Sequence, residues 1–484
     1  MKKTLLSLFL AHFLCANDVT QPSSLQETAI NELPTNELSF NYISNMKKGL
    51  KRDFYINEYL KTDISSNEAF GVLSLIDNMN NKLFFNFSDK FNHDETRAVA
   101  QCMKMDYKLL VDSYSDCIVN GLTLEKASKL NSLELNTVIK KVEDKYPLFT
   151  KKIKVLASPI PFTKLIVQNE NLFYDIFLGV DTKFRENYFN YKIPKRTLKK
   201  IDKNTKFKEL IKISLTNPNL NFLQTTFNDL EDIDRLDNES LFYFAFNSIV
   251  LKDYNKAYEY LLKARAKTEI KFFIDKIDFW IYLITKDKNI LKNLSISKDF
   301  NFYSYYSNEL LKNEIDFSTL DIIKIDQFDK LKSKYSLERI ALLYTFAKVE
   351  SNFDEDKISK QYDVGIFQLN PDLIKKITIQ NSLSYDINSF FTLEKNIDYM
   401  NIYLDSLNFD KDKIFKSFLT YNNMNDQVAK IKSYNLNHPL SSYLNFELLD
   451  IKNKESFILW YVLYYNKLSE EKKKVTINTI LETL

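Results

Sequence analysis

Patterns of helical periodicity fill most of the sequence and constrain its fold more than any other feature. From about Asn17 to Leu320, apolar residues recur at the spacing of amphipathic helices, and runs of alternating β-branched residues are absent. Prolines divide this segment into short helices. The stretch from Leu241 to Ala264 is typical of a helical hairpin. Because no strict repeat period extends over the segment, the pattern predicts an all-α fold of irregular helical pairs stacked into a superhelix.

Length and charge balance restrict the class of protein. At 484 residues the chain is too long for one compact core, so two or three domains are expected. The charges of its 67 basic and 64 acidic residues nearly cancel, so the sequence lacks the excess of basic residues that is typical of nucleic-acid-binding proteins. Lys192 to Lys212 is rich in basic residues, and we interpret it as a solvated helix face. The aromatic run from Phe300 to Tyr306 is interpreted as the packing of a linker helix rather than as a sugar-stacking surface.

The N-terminus has the pattern of a secretory signal. Two lysines precede a short apolar run, and the sequence predicts cleavage after Ala16. Cys15 leaves a lipoprotein alternative open, although His12 and Leu14 fit a lipoprotein signal poorly. No apolar run reaches the ~20 residues that span a bilayer, so the protein is expected to be exported and not membrane-spanning.

The cysteines and histidines are few and scattered. Removal of the signal would leave Cys102 and Cys117, which an exported compartment permits to form a disulfide. Two buried free thiols on neighbouring helices fit the sequence equally well. The sequence contains no metal-ligand spacing and no glycine-rich phosphate loop, so we expect no metal and no cofactor.

Glu350 stands at the end of an apolar helix. Ser336 is a suitable N-cap, and the apolar residues that follow it form a stripe that Glu350 continues. A carboxyl group aligned with an apolar face, at the negative end of a helix dipole, holds its proton to higher pH. Glu350 is therefore predicted to have a raised pKa, as a general acid near neutrality requires. The alternative is a glutamate that turns into solvent at a fraying helix end.

Gly365 is the second unusual feature, since only five glycines occur in the chain. A chain so poor in glycine is expected to place one where the backbone needs a positive φ or a close approach. Here the glycine begins the run Gly365-Ile-Phe-Gln368, shortly after the run Glu350-Ser-Asn-Phe353.

These two runs resemble the Glu-Ser … Gly-Leu-Met-Gln signature of the soluble lytic transglycosylases. Two further segments match in the same order. Asn396-Ile397 with Tyr403-Leu404 resembles the family's Asn-Ile helix, and Thr420-Tyr-Asn-Asn423 resembles its Ala-Tyr-Asn-Ala-Gly segment. The resemblance is clear from about Ser336 to Asn423.

The resemblance implies a signal peptide at 1–16, an α-helical superhelix at 17–285 that closes into a ring, a helical linker region at 286–325 and a lysozyme-like catalytic domain at 326–484. It implies a periplasmic enzyme that cleaves the MurNAc–GlcNAc bond of peptidoglycan glycan strands and forms 1,6-anhydro-MurNAc. Cell-wall proteins are possible partners of the superhelix.

The resemblance also implies roles for individual residues. Glu350 would act as general acid and then as base. The implied substrate-binding residues are Ser351, Gly365, Phe367, Gln368, Tyr421 and Asn422.

The sequence departs from the family at three glycine positions, which are occupied by Tyr362, Met400 and Met424. The family's late Glu-Thr-Arg-x-Tyr segment is also absent, and Glu455-Ser-Phe457 stands near its expected place. These changes would alter the shape of the groove and leave the acid, the amide and the tyrosine in place. A goose-type hydrolytic lysozyme and a catalytically impaired scaffold therefore stay open as alternatives.

Overall fold

Short helices follow one another through the N-terminal part of the chain. A computed structural model describes residues 38–314, 330–407, 414–421, 438–469 and 474–482. Up to residue 314 its α-helices are α1 Phe40–Ser44, α2 Leu50–Tyr59, α3 Ser66–Leu73, α4 Asn81–Lys90, α5 Asp94–Lys104, α6 Tyr107–Asp112, α7 Ser115–Gly121, α8 Leu124–Ala127, α9 Ser132–Val142, α10 Pro147–Leu156, α11 Pro161–Ile166, α12 Glu170–Gly179, α13 Thr182–Phe184, α14 Lys195–Ile201, α15 Phe207–Leu215, α16 Asn221–Gln224, α17 Asn238–Val250, α18 Tyr254–Ala266, α19 Lys271–Thr285, α20 Lys288–Ser295 and α21 Phe302–Leu311. A π-helical turn at Arg185–Phe189 and 3₁₀ turns at Pro218–Leu220, Thr225–Asp229 and Ile233–Arg235 complete this region.

The C-terminal part of the chain is also helical. Its α-helices are α22 Leu337–Phe346, α23 Pro371–Gln380, α24 Leu393–Ser406, α25 Ile414–Tyr421, α26 Ser441–Leu448, α27 Lys454–Leu468 and α28 Ile477–Leu481, with a π-helical turn at Ala347–Ser351 and a 3₁₀ turn at Ile387–Phe391. Within the described ranges, the only β-structure consists of two isolated bridges, Ile358 with Val364 and Val364 with Leu369. The predicted all-α class is confirmed.

Local sequence signals explain many of the helix ends. A capping box begins α3, because the Ser65 hydroxyl accepts from the Glu68 amide and the Glu68 carboxylate accepts from the Ser65 amide. Ser336 caps α22 as predicted. The predicted hairpin from Leu241 to Ala264 corresponds to the packed pair α17 and α18. These signals are short-range, which is why the sequence alone reveals them.

The helical region contacts the C-terminal region at its first helices. Lys61 and Lys82 both pair with Asp372, at 2.5 and 2.6 Å. The Tyr55 hydroxyl donates to Asn388 Oδ1 at 3.2 Å. Helices α2 and α4 therefore lie against the segment that surrounds α23.

The helical region contacts the C-terminal region again at its last helices. The ammonium group of Lys276 pairs with Glu447 in a site where both side chains are only 12% exposed. The Tyr306 hydroxyl donates to Asn478 Oδ1 at 2.9 Å, and the Glu309 carboxylate accepts from the Ile477 amide at 2.8 Å. The helical region therefore contacts the C-terminal region through both its first and its last helices, and its closure into a ring stays a prediction from the resemblance.

The aromatic run and the basic segment behave as predicted. Phe302, Tyr303, Tyr305 and Tyr306 are all at most 3% exposed and pack α21 into the interior. The lysines of the basic segment are largely exposed, and Lys199, for example, pairs with Glu231 across the surface.

Cys102 and Cys117 form a disulfide that links α5 to α7, with their Cα atoms 5.1 Å apart. Of the two alternatives that the sequence leaves open, the structure therefore has the bridged one. Such a cross-link stabilises a fold chiefly by restricting the unfolded chain.

The described residues belong to one compact unit. The domain boundaries at residues 285 and 325 stay predictions, and the predicted signal peptide at 1–16 lies outside the described residues. In the ranges that the structure covers, no helix is both long enough and apolar enough to cross a membrane.

Candidate active site

Glu350 lies on a π-helical turn that continues α22. The α-helix ends at Phe346, and the turn Ala347–Ser351 follows it directly. Asn352 and Phe353 then adopt left-handed backbone conformations, with φ of 56° and 64°, and end the helix. The predicted α-helix over Glu350 is therefore replaced by a wider turn, a distortion that is frequent at functional sites.

The environment of Glu350 raises its pKa to about 7. The main cause is burial, since the carboxyl group is half-buried over the apolar end of α22. The charge of Asp363 raises the pKa further, whereas the ammonium groups of Lys357 and Lys452 lower it. The predicted direction of the shift is confirmed.

A narrow hairpin faces this turn. Its two sides pair through Val364 and Leu369, whose amides and carbonyls exchange hydrogen bonds of 2.9 Å. Gly365 follows Val364 with φ of 77°. A Cβ atom at this position would lie 2.4 Å from Asn396 Nδ2 and 2.5 Å from the Phe390 carbonyl oxygen. Both reasons that predict a glycine, a positive φ and a close approach, therefore apply here.

Asn396 explains part of that close approach. Its side chain is 1% exposed; Nδ2 donates to the Phe390 carbonyl at 2.9 Å, and Oδ1 accepts from the Phe367 amide at 3.3 Å. Asn396, the first residue of the Asn-Ile match, is thus hydrogen-bonded to the hairpin backbone at Phe367.

Three side chains connect the hairpin to the turn of Glu350 and to α25. The Ser351 hydroxyl lies 2.7 Å from the Ile366 carbonyl oxygen and 3.1 Å from that of Ala347. The Lys357 ammonium group donates to the Glu350 carbonyl oxygen. The Tyr421 hydroxyl donates to the Phe367 carbonyl at 3.2 Å. These bonds fix the turn that carries Glu350, and α25, relative to the hairpin.

Tyr421 lies close to the acid. Its ring packs against Phe346 with centroids 4.5 Å apart. Burial raises the pKa of its phenol well above the usual range, and the charge of Glu350 contributes to the same shift. Tyr421 is therefore a neutral donor beside the carboxyl group at every physiological pH.

The other predicted site residues occupy different environments. The Gln368 amide is half-buried and donates to the carbonyls of Lys357 and Gly365, both at 2.9 Å. The Phe367 side chain is fully buried, so it is the backbone of Phe367 that faces Tyr421. Asn422 lies outside the described residues. Substrate contacts by these residues stay predictions.

Asp363 is the main site residue that sequence reasoning missed. Its carboxylate accepts from Ser359 Oγ at 3.0 Å and from Asn370 Nδ2 at 3.4 Å, and burial raises its pKa. The available signal was a carboxylate two residues before Gly365, in the segment that resembles the family signature. Among the described residues, no group of three His, Cys, Asp or Glu side chains is arranged to hold a metal ion.

Most of the residues that depart from the family pattern lie within the described ranges. Tyr362 keeps a left-handed backbone, with φ of 64°, and Met400 is fully buried. Met424 lies outside the described residues. Glu455 lies beside the helical region, where its carboxylate accepts from the Tyr303 hydroxyl at 3.4 Å. Phe457 stacks on Phe418 with ring centroids 3.8 Å apart.

The helical C-terminal region thus brings together a half-buried acid, a glycine-anchored hairpin and a half-buried tyrosine. Residues 326–442 match the family model of the Transglycosylase SLT domain. This range contains Glu350, the hairpin and Tyr421. The C-terminal region therefore carries a Transglycosylase SLT domain, as the resemblance implies.

Comparison with curated proteins finds no match. Among solved structures, the chain is similar to an inactive mutant of the lytic transglycosylase Slt from Pseudomonas aeruginosa, with 11% identity, a TM-score of 0.39 and coverage of 90% of this chain and 92% of that one. It is also similar to the soluble lytic transglycosylase Slt70 from Escherichia coli, with 11% identity, a TM-score of 0.35 and coverage of 89% and 79%. At such TM-scores these likenesses carry no argument about function.

Proposed function

We propose that Glu350 cleaves the bond between N-acetylmuramic acid and N-acetylglucosamine by acting first as general acid and then as general base. The observation that carries the proposal is a half-buried carboxyl group with a pKa of about 7, on a turn that is hydrogen-bonded to the hairpin through Ser351. Such a group is protonated in part of the population at neutral pH and can give up and regain one proton in each turnover.

In the first step, protonated Glu350 donates its proton to the glycosidic oxygen, and the bond from C1 of the muramic acid to that oxygen breaks. The resulting oxocarbenium-like state is assisted by the acetamido group of the substrate. In the second step, the Glu350 carboxylate takes the proton of the C6 hydroxyl, and O6 bonds to C1. The 1,6-anhydro ring closes without consuming water, and Glu350 returns to its protonated form.

The geometry suggests how the neighbours support these steps. Tyr421 is neutral and donates its one hydroxyl proton to the Phe367 carbonyl, so its oxygen would accept a hydrogen bond from protonated Glu350 or from the N–H of the substrate acetamido group. Ser351 has its hydroxyl bonded to backbone carbonyls, so its proposed contribution is to orient the acid. Gln368 and the backbone at Gly365 would line the groove.

Digestion of purified sacculi followed by mass spectrometry tests the proposed product. We expect muropeptides that lack the mass of one water relative to hydrolytic products. Reducing-end products would instead assign a hydrolytic lysozyme, and the absence of any release would favour a scaffold. Either result would contradict the proposal.

The pH dependence provides a second test. Because the first step needs protonated Glu350, kcat/KM should fall as the pH rises through about 7. The charged groups that shift this pKa are Lys357, Asp363 and Lys452. Asp363→Asn removes a negative charge that raises the pKa, so it should move the alkaline limb to lower pH. Lys357→Met removes a positive charge that lowers it, so the limb should move to higher pH.

Rates measured from pH 5 to 9 on the wild type and on both variants check this prediction. Shifts of the same sign in the two variants, or a wild-type rate that still rises above pH 8, would exclude Glu350 as the acid that controls the profile.

We also propose that the protein is exported to the periplasm by the signal at residues 1–16. The disulfide between Cys102 and Cys117 supports this location, because such bonds persist in oxidising compartments. Protein partners of the superhelix stay a prediction from the resemblance.

A further inference from the structure

Tyr362 holds an unusual position on the outer side of the hairpin. It has a left-handed backbone, with φ of 64°, which a bulky residue rarely adopts. Its side chain is fully buried against α2, where its ring meets that of Phe54 edge-on with centroids 6.2 Å apart. Its hydroxyl lies 3.5 Å from the Asn78 carbonyl oxygen. A strained conformation persists only where the surrounding structure determines it, and here the surroundings are the first helices of the superhelix.

The helical side of this contact is itself rigid. Phe54 is fully buried and also meets Phe391 edge-on, with centroids 5.9 Å apart. The buried carboxylate of Asp53 accepts from the amides of Asp77 and Asn78, both at 2.8 Å, and so fixes the turn that faces Tyr362.

Polar contacts flank the aromatic contact on both sides. Asn80 Nδ2 donates to the Lys360 carbonyl at 2.8 Å. Beyond the hairpin, Lys61 and Lys82 converge on Asp372 in the first turn of α23. Helices α2 and α4, with the turns next to them, thus contact both ends of the segment that contains the hairpin.

The inner side of the hairpin is the catalytic side. The carbonyl oxygens of Ile366 and Phe367 accept from Ser351 and Tyr421, and Asp363 directly follows Tyr362. A shift at Tyr362 would therefore move Asp363 and the acceptors that orient the acid. The hairpin has only two isolated bridges of its own, so its position depends on what packs on either side.

We propose that α2, α4 and the turns next to them position the catalytic hairpin, with Tyr362 as the positioning residue that transmits the contact to Glu350. This inference rests on the proposed function and extends it, since it makes the first helices of the superhelix a requirement for turnover. Tyr362 stands where the family has a glycine. Its side chain packs the hairpin against α2, while its backbone keeps a conformation suited to glycine.

Tyr362→Gly tests the inference, because glycine adopts this φ without strain and removes only the side-chain contact. We expect kcat on sacculi to fall at least tenfold, and the alkaline limb of the pH profile to move to lower pH as Glu350 loses the effects of burial and of Asp363. Tyr362→Phe keeps the ring and loses one long hydroxyl contact, so it should stay within about twofold of the wild type. A Gly variant that loses thermal stability but keeps the wild-type kcat and pH profile would overturn the inference.

A second variant tests the same idea from the other side of the contact. The double change Lys61→Met and Lys82→Met should shift kcat and the pH profile in the same direction, by a smaller amount. Lys154→Met, which removes an exposed pair with Glu143, is the matched control and should change neither. Equal effects of the double variant and the control would count against the inference.

Hydrogen exchange separates a failure of this inference from a failure of the proposed function. We expect the amides of Val364 and Leu369 to exchange at least tenfold faster in Tyr362→Gly than in Tyr362→Phe, whatever the reaction catalysed. Unchanged exchange would overturn the positioning role even if Glu350 is the acid. If the amides exchange faster in Tyr362→Gly but the wild type releases no anhydro products, the positioning role would stand and the proposed function would be rejected.

Discussion

Replacing Glu350 by Gln should lower the release of muropeptides from sacculi by at least about 10³-fold, since one group supplies both proton transfers. The amide keeps the size and hydrogen-bonding capacity of the acid but cannot donate a proton to the glycosidic oxygen. Initial rates of product release, measured by liquid chromatography, check this. Release within tenfold of the wild-type rate would show that another group is the acid.

The same variant should not lose stability, which distinguishes a chemical from a structural loss. The pKa of Glu350 is raised on folding, so its protonated form contributes stability that is fully present below about pH 4.5 and is lost as the pH rises through about 7. Gln carries no charge at any pH. The Tm of the variant relative to the wild type should therefore increase between pH 5 and pH 8. A constant difference in Tm would indicate that the carboxyl group is not buried enough to be perturbed.

Gly365→Ala should destabilise the protein by roughly 3 kcal/mol and abolish activity. The left-handed backbone, with φ of 77°, disfavours an added side chain, and the new Cβ would lie 2.4 Å from Asn396 Nδ2 and 2.5 Å from a backbone oxygen. The hairpin would have to move away from Asn396 and, with it, the carbonyls that accept from Ser351 and Tyr421. Thermal unfolding and sacculus digestion measure the two effects.

Gly49→Ala is the matched control for this prediction. Gly49 also has a positive φ, of 136°, but a Cβ there would meet nothing within 4 Å. We therefore expect Gly49→Ala to lose stability only because of its backbone conformation, without a steric clash, and to retain activity. If Gly365→Ala and Gly49→Ala lose the same stability and activity, the close approach to Asn396 does not contribute to the free energy of unfolding.

Features determined by neighbours in the sequence could be predicted from it. The cap at Ser336, the capping box at Ser65 and the helix pair α17 and α18 depend on side chains within a few positions of one another. The raised pKa of Glu350 follows from the apolar stripe on its own helix. The need for glycine at position 365 could be inferred because glycine is so rare in this chain.

Features determined by contacts between distant segments could not be predicted. The π-helical turn at Ala347–Ser351 is part of the contact between α22 and the hairpin, through the bond from Ser351 to Ile366. The role of Tyr362 depends on Phe54, which lies 308 positions earlier in the sequence. The effect of Asp363 on Glu350 depends on how the hairpin folds back. In each case, the partner becomes apparent only in three dimensions.

One measurement tests the central claim most directly: the masses of the products that the wild type and Glu350→Gln release from purified sacculi, compared in parallel. We predict anhydro-muropeptides from the wild type and none above background from the variant, with both proteins folded. Reducing-end products from the wild type, or anhydro products from the variant at a comparable rate, would contradict the assignment of Glu350 as the acid and base of a lytic transglycosylase.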